Sequence, residues 1–394
     1  MTAVTADKAR LPAVPGAWLG VLGGGQLGRM FCQAAQALGY RVAVLDPDES
    51  SPAGMVADRH VQAAYDDPQA LDVLASLCVA VTTEFENVPA DSLRRLALHC
   101  RTTPAGDAVA VAQDRVAEKA YLQASGVPVA PHAAVQQVAD LRDCADALFP
   151  GILKTARLGY DGKGQVRVAN RAQALQAFAD LGGVACVLEA LQPLDYEISV
   201  VVVRGLDGRT VSYPPSRNAH QNGILALSVV DGSVPAAVAE QARRHALRVV
   251  DHLDYHGVLC VEFFVLQDGS VMANEMAPRP HNSGHYTQDG CLVSQFEQQA
   301  RVMAGLPLGL TETLCPTAML NVLGDLWFDA QGQLCEPNWA GVLAVPGTRL
   351  HLYVKSQARP GRKMGHINIV GSTSPELLKR VARVRSVLGL PNAG

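Results

Sequence analysis

Two glutamates carry the sharpest chemical signal in this chain. In the stretch 261–275, VEFFVLQDGSVMANE, apolar residues alternate with others on both sides of Asp268-Gly269, a dipeptide that favours a two-residue hairpin turn. Such a turn sets Glu262 opposite Glu275, with Phe264 opposite Ala273 and Leu266 opposite Val271 along the same face. Like charges placed side by side at the end of an apolar face are destabilising, so a cation is expected between them. Mg2+ suits the position, because carboxylate oxygens hold it while substrate phosphates complete its octahedron. The alternative is a solvated strand end with both carboxylates splayed into water.

Three further segments hold polar groups at spacings that chemistry would use. Between two strand-like runs lies Lys154-Thr-Ala-Arg-Leu-Gly159-Tyr160-Asp161-Gly162-Lys163-Gly164-Gln165, whose glycines permit a loop able to close its N–H groups over phosphates, with Lys154 as a point charge; a hairpin needing glycine only for its backbone angles is the plainer reading. Past the hairpin, NEMAPRPHNSGHYT offers Arg279, His281, Asn282 and Ser283. Pro280 and Gly284 argue against the helix that a zinc pair at His281 and His285 would need, so a phosphate or sugar fits better. Near the C-terminus, KSQARPGRKMGH forms a short basic cluster that reads as an anion site or as a solvated turn. Glu189 and Glu197 lie at a strand end and in the next strand, where a free backbone edge suits an adenine and an acid suits ribose hydroxyls.

Another motif, Gly23-x-Gly25-x-x-Gly28 with Asp46 ending the next strand, has the spacing of a dinucleotide fingerprint. Three readings stay open: a nicotinamide site, a turn holding some other phosphate, or three glycines allowing a tight turn.

The elements that must position these residues are legible in outline. From residue 17 the pattern runs strand, Gly-rich turn, apolar helix and strand, then repeats more weakly through a strand near 60–63, a helix over 68–77, a strand over 79–83 and a helix whose first turn Pro89 can open. This is an open, Rossmann-like α/β domain over 18–113. A helix from about 114, closed near Gly126, begins an α+β domain over 114–305 with short antiparallel strands and a helix over 235–253. Residues 306–394 read as a small β-rich domain closed by a helix near 375–388, and residues 1–17 as a flexible polar tail rather than a signal peptide.

Composition narrows the partners. The 394 residues carry 33 Lys and Arg against 37 Asp and Glu, a net charge of −4, so no global basic field exists for nucleic acid. No apolar run approaches the roughly 18 residues that span a bilayer, and no membrane association is expected. Nine scattered cysteines without a C-x-x-C pair suggest reduced thiols and a cytoplasmic protein. Only seven lysines stand beside 26 arginines, so a lysine inside a Gly- or Pro-rich motif is expected to need its compact ammonium.

Taken in order, GGGQLGRM, TEFENVP, KTARLGYDGKGQ, DYEISV, HQNGIL, NEMAPRPHNSGHYT and RPGRKMGH resemble the ATP-grasp superfamily, and within it the purine-pathway 5-(carboxyamino)imidazole ribonucleotide synthetases. The resemblance implies an ATP-grasp fold with a pre-ATP-grasp domain, a homodimer, and a ligase that carboxylates 5-aminoimidazole ribonucleotide with bicarbonate in de novo purine (IMP) biosynthesis, through carboxyphosphate. ATP would meet Arg115, Lys154 and the loop from Gly159 through Tyr160, Asp161, Gly162, Lys163 and Gly164 to Gln165. It would also meet Glu189, Ala190, Leu191, Gln192, Glu197, His220, Asn274 and Glu275, while Glu262 and Glu275 would hold one or two Mg2+ ions. The ribonucleotide would lie against Gly24, Gly25, Gln26 and Leu27, Glu84 and Asn87, Tyr160 and Asp161. Arg279, His281, Asn282, Ser283, Lys355 and Arg362 would complete its site. Lys154, Arg279 and Asp161 are the catalytic candidates. Where many members carry Glu-x-Asn after the hairpin, this chain has Ala277. A nicotinamide dehydrogenase and a non-catalytic nucleotide-binding module are the rival classes, and relatives acting on biotin or glycinamide ribonucleotide share the ATP half.

Overall fold

The computed structural model describes residues 11–159 and 162–391. Strands β1 (Trp18–Leu22), β2 (Arg41–Leu45), β3 (Arg59–Val61), β4 (Ala80–Thr83) and β5 (Arg101–Thr102) form a parallel sheet in the order β3-β2-β1-β4-β5. Helices α1 (Gln26–Ala37), α2 (Pro68–Leu77), α3 (Ala90–Ala97) and α4 (Gly106–Ala112) accompany it. This is the expected open α/β domain. Its strand order reverses between β1 and β4, where ligands of such sheets gather. Pro89 stands at the N-cap of α3, one position before the expected first turn.

Asp114 opens helix α5 (Arg115–Ala124), its carboxylate accepting from the Val116 and Ala117 N–H groups. A small antiparallel sheet follows, built from β6 (His132–Val135), β7 (Gly151–Thr155), β8 (Gln165–Val168) and β9 (Cys186–Ala190) in the order β6-β9-β7-β8, and covered by α6 (Val138–Asp143) and α7 (Arg171–Asp180). The next strands are β10 (Leu194–Arg204), β11 (Thr210–Ser212), β12 (Ser216–Gln221) and β13 (Ile224–Val230). After α8 (Ala236–His252) come the hairpin strands β14 (Gly257–Leu266) and β15 (Val271–Ala277), then α9 (Thr287–Gly290) and α10 (Gln295–Ala304).

The last segment contains β16 (Thr317–Leu323), α11 (Trp339–Leu343), β17 (Thr348–Leu352), β18 (Lys363–Val370) and α12 (Ser374–Val387). Its strands continue the large sheet, which runs β15-β14-β10-β12-β13-β16-β18-β17 with β11 beside β10. The β-rich C-terminal segment therefore shares one hydrogen-bonded sheet with the hairpin, through β13 and β16.

Three cores hold the site's walls in place. Phe296, Ala300, Met303 and Ala304 of α10 pack with Leu27, Met30 and Phe31 of α1, which fixes the first sheet against the large one. Val249, Val250 and Ala246 of α8 pack beneath Val261, Phe263, Val265 and Ala273 of the hairpin. Under the small sheet, Leu153 and Leu188 pack with Ala174, Ala177 and Phe178 of α7. Residues 11–17 differ from the loose tail expected there: Ala13 is buried, its N–H donates to Ala304 O at 2.7 Å and its carbonyl accepts from Tyr40 Oη at 2.9 Å. Among the described residues no helix is long and apolar enough to cross a membrane, and the nine cysteines are unpaired.

Candidate active site

A cleft of about 720 Å³ opens where the three parts of the chain meet. Gln26, Leu27 and residues 84–87 line it from the carboxyl ends of β1 and β4, Lys355 and residues 359–363 from the C-terminal segment, and Arg115, Glu262, Glu275, Arg279, His281 and Asn282 from between.

The hairpin reaches the expected pairing by a different route. Gly269, with φ +81°, donates to Leu266 O, and Leu266 N donates to Ser270 O, so the turn has three residues rather than two. This shifts the register: Phe264 pairs with Met272, Phe263 with Ala273 and Val265 with Val271, correcting the partners Phe264/Ala273 and Leu266/Val271 read from the sequence. A β-bulge after Phe263/Ala273 shifts it back, and Glu262 pairs with Glu275. The extra residue is Asn274. Ala273 and Met276 on either side join the core under α8, while Asn274 Oδ1 accepts from Lys154 Nζ and Glu275 lines the cleft.

The two crowded carboxylates meet different partners. Arg115 Nη1 lies 2.8 Å from Glu275 Oε2. Burial alone would raise the Glu275 carboxyl, but the guanidinium outweighs it and holds the group below its ordinary value. Glu262 moves the other way, pushed up by burial and by the charge of Glu275. His281 Nε2 sits 3.1 Å from Glu262 Oε1, and burial followed by the charge of Arg279 depresses that imidazole to about 3. Glu262 and His281 thus stand within hydrogen-bond distance of one another. On neighbouring strands, His220 Nδ1 approaches Glu197 Oε2 at 3.0 Å, and Glu197, His220 and Glu262 bring ligand atoms within 4.8 Å of one another. Two carboxylates and an imidazole so placed offer donor atoms for a divalent cation, and Glu275, paired with Arg115, lies outside that group.

Lys154 and Glu189 come together, though Glu189 is not the open acid expected for a sugar. Its buried carboxylate lies between Lys154 Nζ at 3.1 Å and Lys119 Nζ at 3.2 Å. Nor is the strand edge after it free, since Ala190 N donates to Pro131 O, Leu191 N to Pro150 O, and Gln192 Nε2 to Ala190 O. In the glycine loop, Thr155 N donates to Gly164 O, Arg115 Nη2 donates to Gly159 O, and Gly162 and Gly164 both take positive φ. Gly159 and Lys163 face the cleft. Tyr160 and Asp161 lie outside the described residues.

The first glycine turn is occupied by its own chain. Gly24 N donates to Asp46 Oδ2 at 2.6 Å, Gly25 N to Glu84 Oε2 at 2.8 Å and Leu27 N to Glu84 Oε1 at 3.1 Å. Glu84 caps helix α1 from 59 residues away and also lines the cleft, its carboxylate engaged by the turn; Gly24 and Gly25 stand behind the cleft wall, with Gln26 and Leu27 on it. A Cβ on Gly25 would run into the Glu84 carboxylate, so any larger residue there must displace that cap. Asp46 also accepts from Tyr65 Oη, leaving it engaged where a dinucleotide's ribose would need it.

Arg279 does face the cleft, but its partner was missed. Glu86 Oε2 accepts from Arg279 Nε at 2.6 Å. Burial raises the Glu86 carboxyl, yet the guanidinium outweighs it and holds it low. Ser283 Oγ is buried against His281 Nδ1 at 2.8 Å, behind the surface that Asn282 lines. Asn87 lines the cleft, as do Lys355 and Arg362, joined by Arg359 and Lys363 of the same basic cluster.

The chain is similar to known proteins along nearly its whole length. Residues 17–113 match the ribonucleotide synthetase preATP-grasp domain, 120–296 the ATP-grasp domain and 317–380 the phosphoribosylaminoimidazole carboxylase C-terminal domain. The N5-carboxyaminoimidazole ribonucleotide synthase of Brucella melitensis is 45% identical over 364 residues, covering 92% of this chain and 98% of the relative. The N5-carboxyaminoimidazole ribonucleotide synthetase structure from Thermus thermophilus aligns with a TM-score of 0.87 at 39% identity, over 95% and 100% of the two chains. The Aspergillus clavatus N5-carboxyaminoimidazole synthase, in complex with ADP and 5-aminoimidazole ribonucleotide, aligns with a TM-score of 0.85 at 32% identity, over 95% and 99%.

Proposed function

The chain belongs to the N5-carboxyaminoimidazole ribonucleotide synthase family of ATP-grasp ligases, and from that premise we propose how its cleft performs the family's reaction. ATP, bicarbonate and 5-aminoimidazole ribonucleotide give N5-carboxyaminoimidazole ribonucleotide, ADP and phosphate, a step of purine biosynthesis. A bicarbonate oxygen attacks the γ-phosphorus of ATP and ADP leaves; the resulting carboxyphosphate yields CO2 to the exocyclic amine of the ribonucleotide and releases phosphate. The transfer demands charge neutralisation and alignment more than a nucleophilic side chain.

The observation that carries this assignment is the convergence on one cleft of the Glu262/Glu275 pair, the Arg279–Glu86 pair and the basic segment 355–363. Glu262 and Glu275 would hold Mg2+, which supplies positive charge to the phosphates when bound. Arg115 and Lys154 flank that position and would take the phosphates. The loop from Gly159 to Gln165, with Tyr160, Asp161, Gly162, Lys163 and Gly164, would close over them and keep water from the carboxyphosphate. Glu189 holds Lys154 in place, and Ala190, Leu191, Gln192, Glu197, His220 and Asn274 would surround the nucleoside. Arg279, oriented by Glu86, would stabilise the charge that develops on the transferring group, beside His281, Asn282 and Ser283. Lys355 and Arg362 would bind the ribonucleotide's phosphate opposite Gln26, Leu27 and Asn87.

The segments 18–113, 114–305 and 306–394 serve in this proposal as the three walls. A homodimer and a cytoplasmic location complete it, the second suited to nine unpaired cysteines; sedimentation of the purified protein tests the first. ADP formation from MgATP in bicarbonate buffer, with and without 5-aminoimidazole ribonucleotide, tests the function. Strong stimulation by the ribonucleotide is expected, and tight MgATP binding without stimulation would overturn the substrate assignment.

A further inference from the structure

Helix α5 puts three side chains on three consecutive residues of the edge strand. Arg115, Glu118 and Lys119 have i, i+3 and i+4 spacing and so share one face of the helix. Arg115 binds the Glu275 side chain, Lys119 Nζ donates to Asn274 O at 2.9 Å, and Glu118 Oε1 accepts from Met276 N at 2.6 Å. Strand β15 is the edge of the large sheet, so beyond Ala273, whose N–H reaches Pro128 O, its outer backbone groups have no neighbouring strand. Glu118 and Lys119 stand in for one, on either side of Glu275 and at the bulge that aims it. Lys119 is fully buried, and its second partner is Glu189, the carboxylate that also holds Lys154.

We propose that Glu118 and Lys119 are positioning residues for phosphoryl transfer: they lock the bulged backbone at Asn274–Met276, and Lys119 acts through Glu189 on Lys154 as well. This rests on the assignment of Glu275 and Lys154 to the phosphates and metal. Losing either contact leaves a β-bulge that can relax into regular pairing, which would swing Glu275 by one position, while losing Lys119 also leaves Glu189 to draw Lys154 away from its place.

The test is steady-state ADP formation by Lys119→Met and Glu118→Ala beside wild type, with Mg2+ and ribonucleotide each titrated, and with the folded fraction measured by thermal unfolding. Displacement on the order of an ångström lowers rates about 100-fold, so kcat per folded enzyme should fall by about that factor in Lys119→Met. The Mg2+ concentration for half-activation should rise severalfold in both variants, with KM for the ribonucleotide within about twofold of wild type. A merely structural role would lower the melting temperature and the folded fraction without moving kcat per folded enzyme or the Mg2+ dependence, and that result overturns the proposal. If wild type itself shows no ribonucleotide-stimulated ADP formation, the functional assignment fails first, a separate outcome visible in the same experiment.

Discussion

The glycine turn at the end of β1 and the hairpin at the edge of the large sheet each carry a pair of acidic side chains, and the two use them in opposite ways. In the turn, Asp46 and Glu84 accept from Gly24, Gly25 and Leu27, so acid and N–H satisfy one another. In the hairpin, Glu262 and Glu275 face each other across a ladder, and their neighbours are Arg115 and a neutral imidazole. A motif's chemistry thus depends on which of its polar groups the fold has left for a ligand. The turn carries the spacing of a nucleotide fingerprint with its donors already engaged, whereas the hairpin carries no familiar fingerprint and concentrates unbalanced charge.

The contrast is broken most directly by neutralising one member of each pair. Glu275→Gln should lower turnover by about 100-fold or more, because it removes charge aimed at the phosphates, while the protein still folds with the Arg115 pair lost; wild-type turnover in that variant would remove the hairpin from the mechanism. Glu86→Gln should cost less, about tenfold in kcat, because Arg279 stays in the cleft but loses its orienting partner; the check is a kinetic comparison at saturating ribonucleotide. Gly25→Ala should act on the fold, lowering stability by about 1–3 kcal/mol as the new methyl displaces the Glu84 carboxylate from two N–H groups. Calorimetry of MgATP binding should find that variant's affinity unchanged, and a large loss would return the turn to the nucleotide site.

The smallest effect concerns pH. Glu86 is held below the ordinary glutamate value near 4.3 by Arg279. A lowered folded pKa stabilises above the unfolded value and is lost as pH falls through the folded one, so the pair's contribution is complete above about pH 5 and fades below it. Urea midpoints of wild type and Glu86→Gln should therefore converge as pH falls toward 3. Curves that stay parallel would mean the ion pair adds nothing to stability.

The same contrast shows how far the sequence could be read. Element order came through well where periodicity was strong: the helix over Pro68–Leu77 stands where the pattern put it, and the helix expected over 235–253 stands at Ala236–His252. The Glu262/Glu275 pair was legible for a partly accidental reason, because a three-residue turn and a bulge shift the ladder in compensating directions, and neither shift leaves a mark in a two-residue alternation. Glu84 and Glu86 sit two apart in TEFENVP with no local feature to tell them apart; only the tertiary position of helix α1 makes one a cap and the other an orienting partner for Arg279. Lys119 was illegible for a similar reason, since its partners lie 70 and 155 residues away on two different sheets. Local pattern specifies elements, and long-range packing decides which of their polar groups remain for chemistry.

The central claim is that this cleft transfers the γ-phosphoryl group to bicarbonate and not to water. Bicarbonate labelled with 18O, supplied with MgATP and 5-aminoimidazole ribonucleotide, tests it, because the oxygen that attacks phosphorus stays on the phosphate when the carboxyphosphate C–O bond breaks. One 18O atom in each phosphate released is the predicted result. Unlabelled phosphate formed at the same rate would mean that water attacks the nucleotide, and would contradict the account.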